Sequence, residues 1–306
     1  MLIPEFLRDL NVDPQLHPRG QGHLSAASGL VRVQRRLYVV ADDELHLGCF
    51  GNTGRAAVQL IRLFDGKLPH DAKKRKKTKL DIEILVQLPA LPGYPFGALM
   101  ALGSGSSPKR CQAVLVPLDA KGALIHRLAY VDFAPLYARL RRTFDDLNIE
   151  GAFFAQGRLC LLQRGNKGNS PSAVIRFDWK SVLPWLMGRR ETCPPVVSIT
   201  VLDLGSFKGV PFCPTDGAGL ASGQWAFSAV AEDTGNSIQD GPCLASAVGI
   251  VDADGAVRQI HRLHGAPKVE GISAIKSEGQ LVLKMVTDAD NASEVSQLLR
   301  VQFPAV

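Results

Sequence analysis

The chain has 306 residues, of which 46% are hydrophobic and 21% charged, and its formal net charge is +6. That length can bury the core of one large or two ordinary domains, and no apolar run approaches the ~18 residues of a membrane-spanning helix. Six basic residues fall in KKRKKTK (73–79), which leaves 29 basic residues against 29 acidic ones elsewhere, so the charge reads as one solvated surface loop over 67–79 rather than a basic face for nucleic acid.

In chain order, the first candidate strand is FLRDLNV (6–12), in a leader too broken by charge and proline for a secretory signal. With six scattered cysteines and no CxxC pair, a reduced, cytoplasmic protein is expected. Five similar units follow. Each opens with an inner strand near Ser28, Glu83, Glu150, Asp216 or Glu270, and continues through turns into three more strand-like runs. Three of these positions are followed by glycine in an acid–glycine pair: Glu150-Gly151, Asp216-Gly217 and Glu270-Gly271. The second and fourth units share DAxGA ahead of an identical IHRL (125–128 and 260–263), and the first carries LIRL at 60–63. The stretch APLYARLRRTFDDL (134–147) has a helical period and reads as a surface helix.

Four-stranded units repeating every 50–65 residues or so are the mark of propeller blades. The fifth unit ends at its third strand, EVSQLLRVQF (294–303). The spare strand at 6–12 is expected to complete it and close the ring. The prediction is therefore an all-β, five-bladed propeller forming a single domain over 1–306, with six blades as the alternative if two units are merged.

In such a fold the start of each inner strand and the end of the next share one rim of the axial channel. Glu83, Glu150, Asp216, Glu270 and Asp288 then become candidate metal ligands, with Asp42, Ser104, Asn166 and Glu232 also on the rim. Converging carboxylates must be protonated, paired or bridged by a cation, and Ca²⁺ or Mg²⁺ suits oxygen ligands. The bland alternative is that each acid accepts backbone N–H bonds and latches one blade to the next. There is no Walker loop, no GxSxG elbow and no zinc spacing among the seven histidines.

The acid–glycine openings, GRLCLLQRGN (157–166) and the terminal VEGIS…LVLKMVTDAD…SQLLRVQF resemble a family of uncharacterised bacterial β-propellers, and more distantly phytase-like esterase and strictosidine-synthase-like propellers. The resemblance implies a calcium ion or a substrate on the channel axis. Together with the rim, it leads to an expected small-molecule or divalent-cation binding propeller and, if the protein is an enzyme, to metal-assisted hydrolysis of phosphate or carboxylic esters and lactones. In that scheme Glu150 or Glu270 would be the general base and Arg164 would steady negative charge. The alternative is a non-catalytic scaffold that presents one face to a protein partner.

Overall fold

The computed structural model describes residues 1–52, 58–166, 170–220, 223–233 and 241–305. Strand β1 (Glu5–Asp9) comes first, and the first blade is β2 (Ala27–Val33), β3 (Arg36–Ala41), β4 (His46–Gly51) and β5 (Gln59–Arg62). Helix α1 (Ala72–Thr78) leads to the second blade, β6 (Ile82–Leu88), β7 (Ala98–Gly103), β8 (Gln112–Pro117) and β9 (Ala129–Asp132). Helix α2 (Ala134–Leu140) precedes the third, β10 (Ile149–Ala155), β11 (Arg158–Gln163) and β12 (Ala173–Asp178), which is completed after α3 (Trp179–Leu186) by β13 (Ser198–Val201). A two-residue hairpin, β14 (Ser206–Phe207) and β15 (Val210–Pro211), leads into the fourth, β16 (Cys213–Gly219), β17 (Trp225–Glu232), β18 (Cys243–Val251) and β19 (Val257–Arg262). The fifth is β20 (Val269–Ser277), β21 (Gln280–Thr287) and β22 (Gln297–Pro304), with β1 as its outer strand.

The protein is thus a five-bladed propeller of four-stranded antiparallel blades. The predicted closure is met: β1 pairs antiparallel with β22 from Glu5 opposite Arg300 to Asp9 opposite Gln297. Among the described residues, no helix is long and apolar enough to cross a membrane.

The core lies in the seams between blades, because successive side chains of a strand point to opposite faces. On β11, Leu159 and Leu161 pack toward the second blade, while Cys160 and Leu162 pack toward the fourth. Five apolar clusters fill five seams, so every blade is covered on both faces.

Three details differ from the sequence reading. The basic stretch is not simply a loop. Asp71 caps α1 by accepting the Lys74 N–H at 2.8 Å, and Arg75 turns inward to Asp43 (Nε to Oδ2, 3.0 Å) and to the carbonyls of Pro69 and His70. The two IHRL stretches are not equivalent. The DAKGA and DADGA turns match, each closed by an Asp N–H donating to an Ala carbonyl, but residues 260–262 lie in β19 while 125–128 precede β9. The helix expected over 134–147 ends at Leu140, although Phe144 and Leu147 are buried.

Candidate functional site

In each blade the inner strand carries a β-bulge near its start. The register skips Ser28 between Ala27 and Gly29, Glu83 between Ile82 and Ile84, and Glu150 between Ile149 and Gly151. It skips Thr215 between Pro214 and Asp216, and both Glu270 and Gly271 between Val269 and Ile272. A bulged residue leaves the ladder and is re-aimed, and Ser28, Glu83, Glu150 and Glu270 all line the channel mouth.

The following glycine has a separate duty. A Cβ at Gly151 would lie 2.7 Å from the Asp216 Cα, and one at Gly271 would lie 2.7 Å from the Leu30 N. The inner strands converge too closely on the axis for a side chain there.

Bulge register corrects one candidate. The fourth-blade member of the ring is Thr215, and Asp216 occupies the position that glycine takes in the first, third and fifth blades. Asp216 is buried and lies outside the mouth. Its Oδ1 accepts the Gly217 N–H at 2.7 Å and its Oδ2 accepts the Ile272 N–H of the next blade at 2.9 Å. Asp216 is therefore an interblade latch, while Glu83, Glu150 and Glu270 face the channel.

The mouth encloses about 600 Å³ and is lined by seven carboxylates and seven lysine or arginine side chains. Arg164 is the hub of one side: Nη2 donates to Glu232 at 2.6 Å, and Nη1 lies 3.5 Å from Glu150 and 3.9 Å from Glu270. Burial alone would lower its pKa, but these three carboxylates drive it well above the ordinary value. Lys268 does the same for Glu270 at 3.5 Å, Glu232 at 3.2 Å, Asp288 at 3.8 Å and Asp290 at 2.6 Å. Even so, burial, reinforced by Asp42, pushes the Asp288 carboxyl up to about 8.

On the other side, Lys79 reaches between Asp42 and Asp81, contacting Asp81 at 3.0 Å, and Arg110 meets Asp81 at 2.7 Å. These two cations, with the Ser104 hydroxyl donating at 2.6 Å, outweigh burial and hold Asp81 below its usual range.

Glu83 has no such partner. Among the described residues no hydrogen bond or salt bridge reaches its side chain, and Lys79 acts on it only as a more distant charge. Burial, and then the negative charge of Glu150, push its carboxyl well above the ordinary value. Ligand oxygens of Asp42, Asp81 and Glu83 lie within 4.8 Å of one another. That oxygen set suits a hard cation, but the Lys79 ammonium already sits between two of its members.

The remaining rim candidates separate. Asp42 and Asp288 are in the mouth. Ser104 is buried behind it, on Asp81. Asn166 and Glu232 line a different recess of about 280 Å³ on the far side of Arg164. Sequence reasoning missed Asp81, Asn148 and Lys268, which lie two residues before Glu83, Glu150 and Glu270. Each stands just ahead of its inner strand and shares the mouth with the bulged acid, and that recurring offset was the available signal.

A family model described as a family of unknown function, DUF6929, matches residues 23–303. No curated protein matches the chain. Among solved structures, the glutaminyl cyclase of Myxococcus xanthus is similar at 10% identity and a TM-score of 0.51, over 100% of this chain and 98% of that one. A gluconolactonase from Xanthomonas campestris is similar at 12% identity and 0.39, over 97% and 94%. A luciferin-regenerating enzyme is similar at 11% and 0.39, over 92% and 78%. At these identities the likeness is one of fold alone.

Proposed function

The chain belongs to the DUF6929 family, and from that premise we propose that its channel mouth binds a small anionic ester or lactone and hydrolyses it by acid–base chemistry centred on Glu83. The observation that carries this reading is the asymmetry of the ring. Every other mouth carboxylate has a lysine or arginine within 4 Å, and among the described residues Glu83 has none.

Two carboxyl groups that feel each other in a buried site separate into one that keeps its proton and one that does not. Glu83 is the one that keeps it, and it would give that proton to a leaving oxygen. Glu150, beside the Arg164 guanidinium, is the partner that ionises first and would draw a proton from an attacking water. The exposed Lys73 and Lys77 of α1 stand at the same mouth and would meet the anionic end of the substrate.

A divalent ion has a place only where Lys79 gives one up. Ca²⁺ or Mg²⁺ held by Asp42, Asp81 and Glu83 would polarise a carbonyl or phosphoryl oxygen. The ammonium and the ion compete for the same oxygens. Replacing Lys79 by methionine should therefore let Ca²⁺ raise the melting temperature by about 3–6 °C, against a shift of a degree or less in the unaltered protein. Melts in EDTA and in Ca²⁺ check this, and equal shifts in the two proteins would remove the metal from the scheme.

The activity itself is tested by Glu83→Gln against a panel of phosphate esters, carboxylic esters and lactones. A general acid contributes about 10²–10⁴-fold in rate, so the variant should lose at least 100-fold in kcat. It should melt no lower than the parent, because glutamine is nearly isosteric with the protonated, uncharged carboxyl that burial favours there. Hydrolysis that survives Glu83→Gln unchanged would overturn the assignment.

A further inference from the structure

A recess of about 400 Å³ lies beside β4 and β5 of the first blade, under the segment that leads to α1, and no residue lines both it and the channel mouth. Buried Leu45, with Leu68 and Pro69, gives it an apolar wall. Arg75 Nη1 donates to the carbonyls of Pro69 and His70 at 3.0 and 2.8 Å, so that wall is held in place by the protein itself. An apolar wall with a few placed polar groups, at this volume, is the ordinary make-up of a small-molecule site. Two nitrogens on its lining residues lack a hydrogen-bond partner: Arg19 Nε, on a side chain 4% exposed, and His46 Nδ1. A guanidinium Nε is always a donor, and a buried donor left unmade calls for an acceptor.

The charges decide which acceptor. One carboxylate lines the recess, Glu44, and it is taken by Arg19 at 2.5 Å and His17 at 2.9 Å. Arg19 also lies 3.5 Å from Asp43, and Asp43 in turn holds Arg75 at 3.0 Å. These two acids and two arginines balance. Arg62 and Lys67, both exposed at the lip, are left over. Arg62 donates to the Gly66 carbonyl at 3.0 Å, and among the described residues neither cation pairs with a carboxylate, Asp65 of the same turn included. Burial outweighs the charge of Glu44 and pushes His46, opposite Arg62 in the ladder, down to about 4, so its ring is neutral at pH 7 and cancels none of this. We propose that the recess binds a small organic carboxylate with an apolar body, of the class of an aryl or branched-chain acid. The carboxylate balances Arg62 and Lys67 and offers an acceptor to Arg19 Nε–H, and the body packs on Leu45, Leu68 and Pro69. The site is separate from Glu83, and its test does not depend on hydrolysis.

The full chain is melted at constant ionic strength with benzoate, isovalerate, benzamide or inorganic phosphate. Benzoate and isovalerate, at roughly ten times their Kd, should raise the melting temperature by about 2–4 °C. Benzamide lacks the charge and phosphate lacks the apolar body, and each should shift it by about a degree or less. Arg62→Gln combined with Lys67→Gln should abolish the benzoate shift and leave the ligand-free melt nearly unchanged, because both side chains are exposed. Lys73→Gln combined with Lys77→Gln, at the channel mouth, should leave the shift intact. A shift lost from the mouth variant instead, an equal shift with benzamide or phosphate, or no shift with either carboxylate overturns the proposal. Crystals soaked in 4-bromobenzoate read the site without any variant: a bromine anomalous peak beside Leu45 and Leu68 supports it, and a peak only at the channel mouth, or none, overturns it.

Discussion

Replacing Arg164 by methionine should destabilise the protein by about 3–5 kcal/mol, the usual consequence of stranding buried charges, which for a domain of this size lowers the melting temperature by roughly 5–8 °C. The guanidinium is 6% exposed and is shared by Glu150, Glu232 and Glu270. Removing it leaves Lys268 to hold Glu232 and Glu270, and leaves Glu150 with only the side-chain amide of Asn148. The pH dependence identifies the cause. Burial already raises the carboxyls of Glu150 and Glu270 above their unfolded values, and loss of the cation raises them further. The folded variant then binds more protons than the unfolded chain, so its stability must fall as pH rises from the unfolded pKa toward the folded ones. The deficit relative to the parent should therefore be larger at pH 8 than at pH 5. Adding Glu232→Gln to Arg164→Met should recover part of it, because one of the stranded charges has gone. If Arg164→Met melts within a degree of the parent at both pH values, the ion pairs of Arg164 add nothing to stability and it is not the structural centre of its side of the ring.

The same residue shows where a sequence stops being informative. The blade count and the closing strand were legible because they rest on short-range patterns, namely alternating apolar residues between turns. The ring of carboxylates was legible for three of five blades, at Glu83, Glu150 and Glu270. It failed at Asp216 because acid–glycine was taken as the marker, whereas the bulge is the true marker, and a shift of one residue along a strand turns a side chain to the other face. The cations were mostly illegible. Lys79 closes a run of exposed lysines, and nothing in its neighbours separates it from them. Arg110 pairs with Asp81 across 29 residues, and Arg164 with Glu232 across 68. Such pairings are set by the ring as a whole. Helix α3 was missed for a local reason: WKSVLPWL contains Pro184, and proline ordinarily argues against a helix interior.

Removing residues 1–12 should leave a chain that cannot be recovered as a folded monomer. Leu10 is fully buried and Val12 nearly so, both in the cluster that fills the seam between the fifth and first blades. Losing large buried side chains costs about 2–5 kcal/mol each, against a total stability of roughly 5–15 kcal/mol. The loss extends beyond those contacts. Leu10 donates its N–H to the Ser296 carbonyl and accepts from Leu24, so it stitches the last blade to the first. Without β1, strand β22 also becomes an open edge, which invites pairing with another chain. Aggregates or a non-cooperative melt are expected, read by size-exclusion chromatography and circular dichroism. A permuted chain separates the strand from its position. Val306 is joined to Met1 by a short glycine–serine linker, and the chain is opened at the exposed 15–16 turn. The closing strand is then present but enters from the opposite end of the sequence. If closure is what matters, the permutant should be monomeric and melt within a few degrees of the parent. A truncated chain that is itself a stable monomer would mean that the other four seams suffice, and that β1 only covers an edge the propeller can leave open.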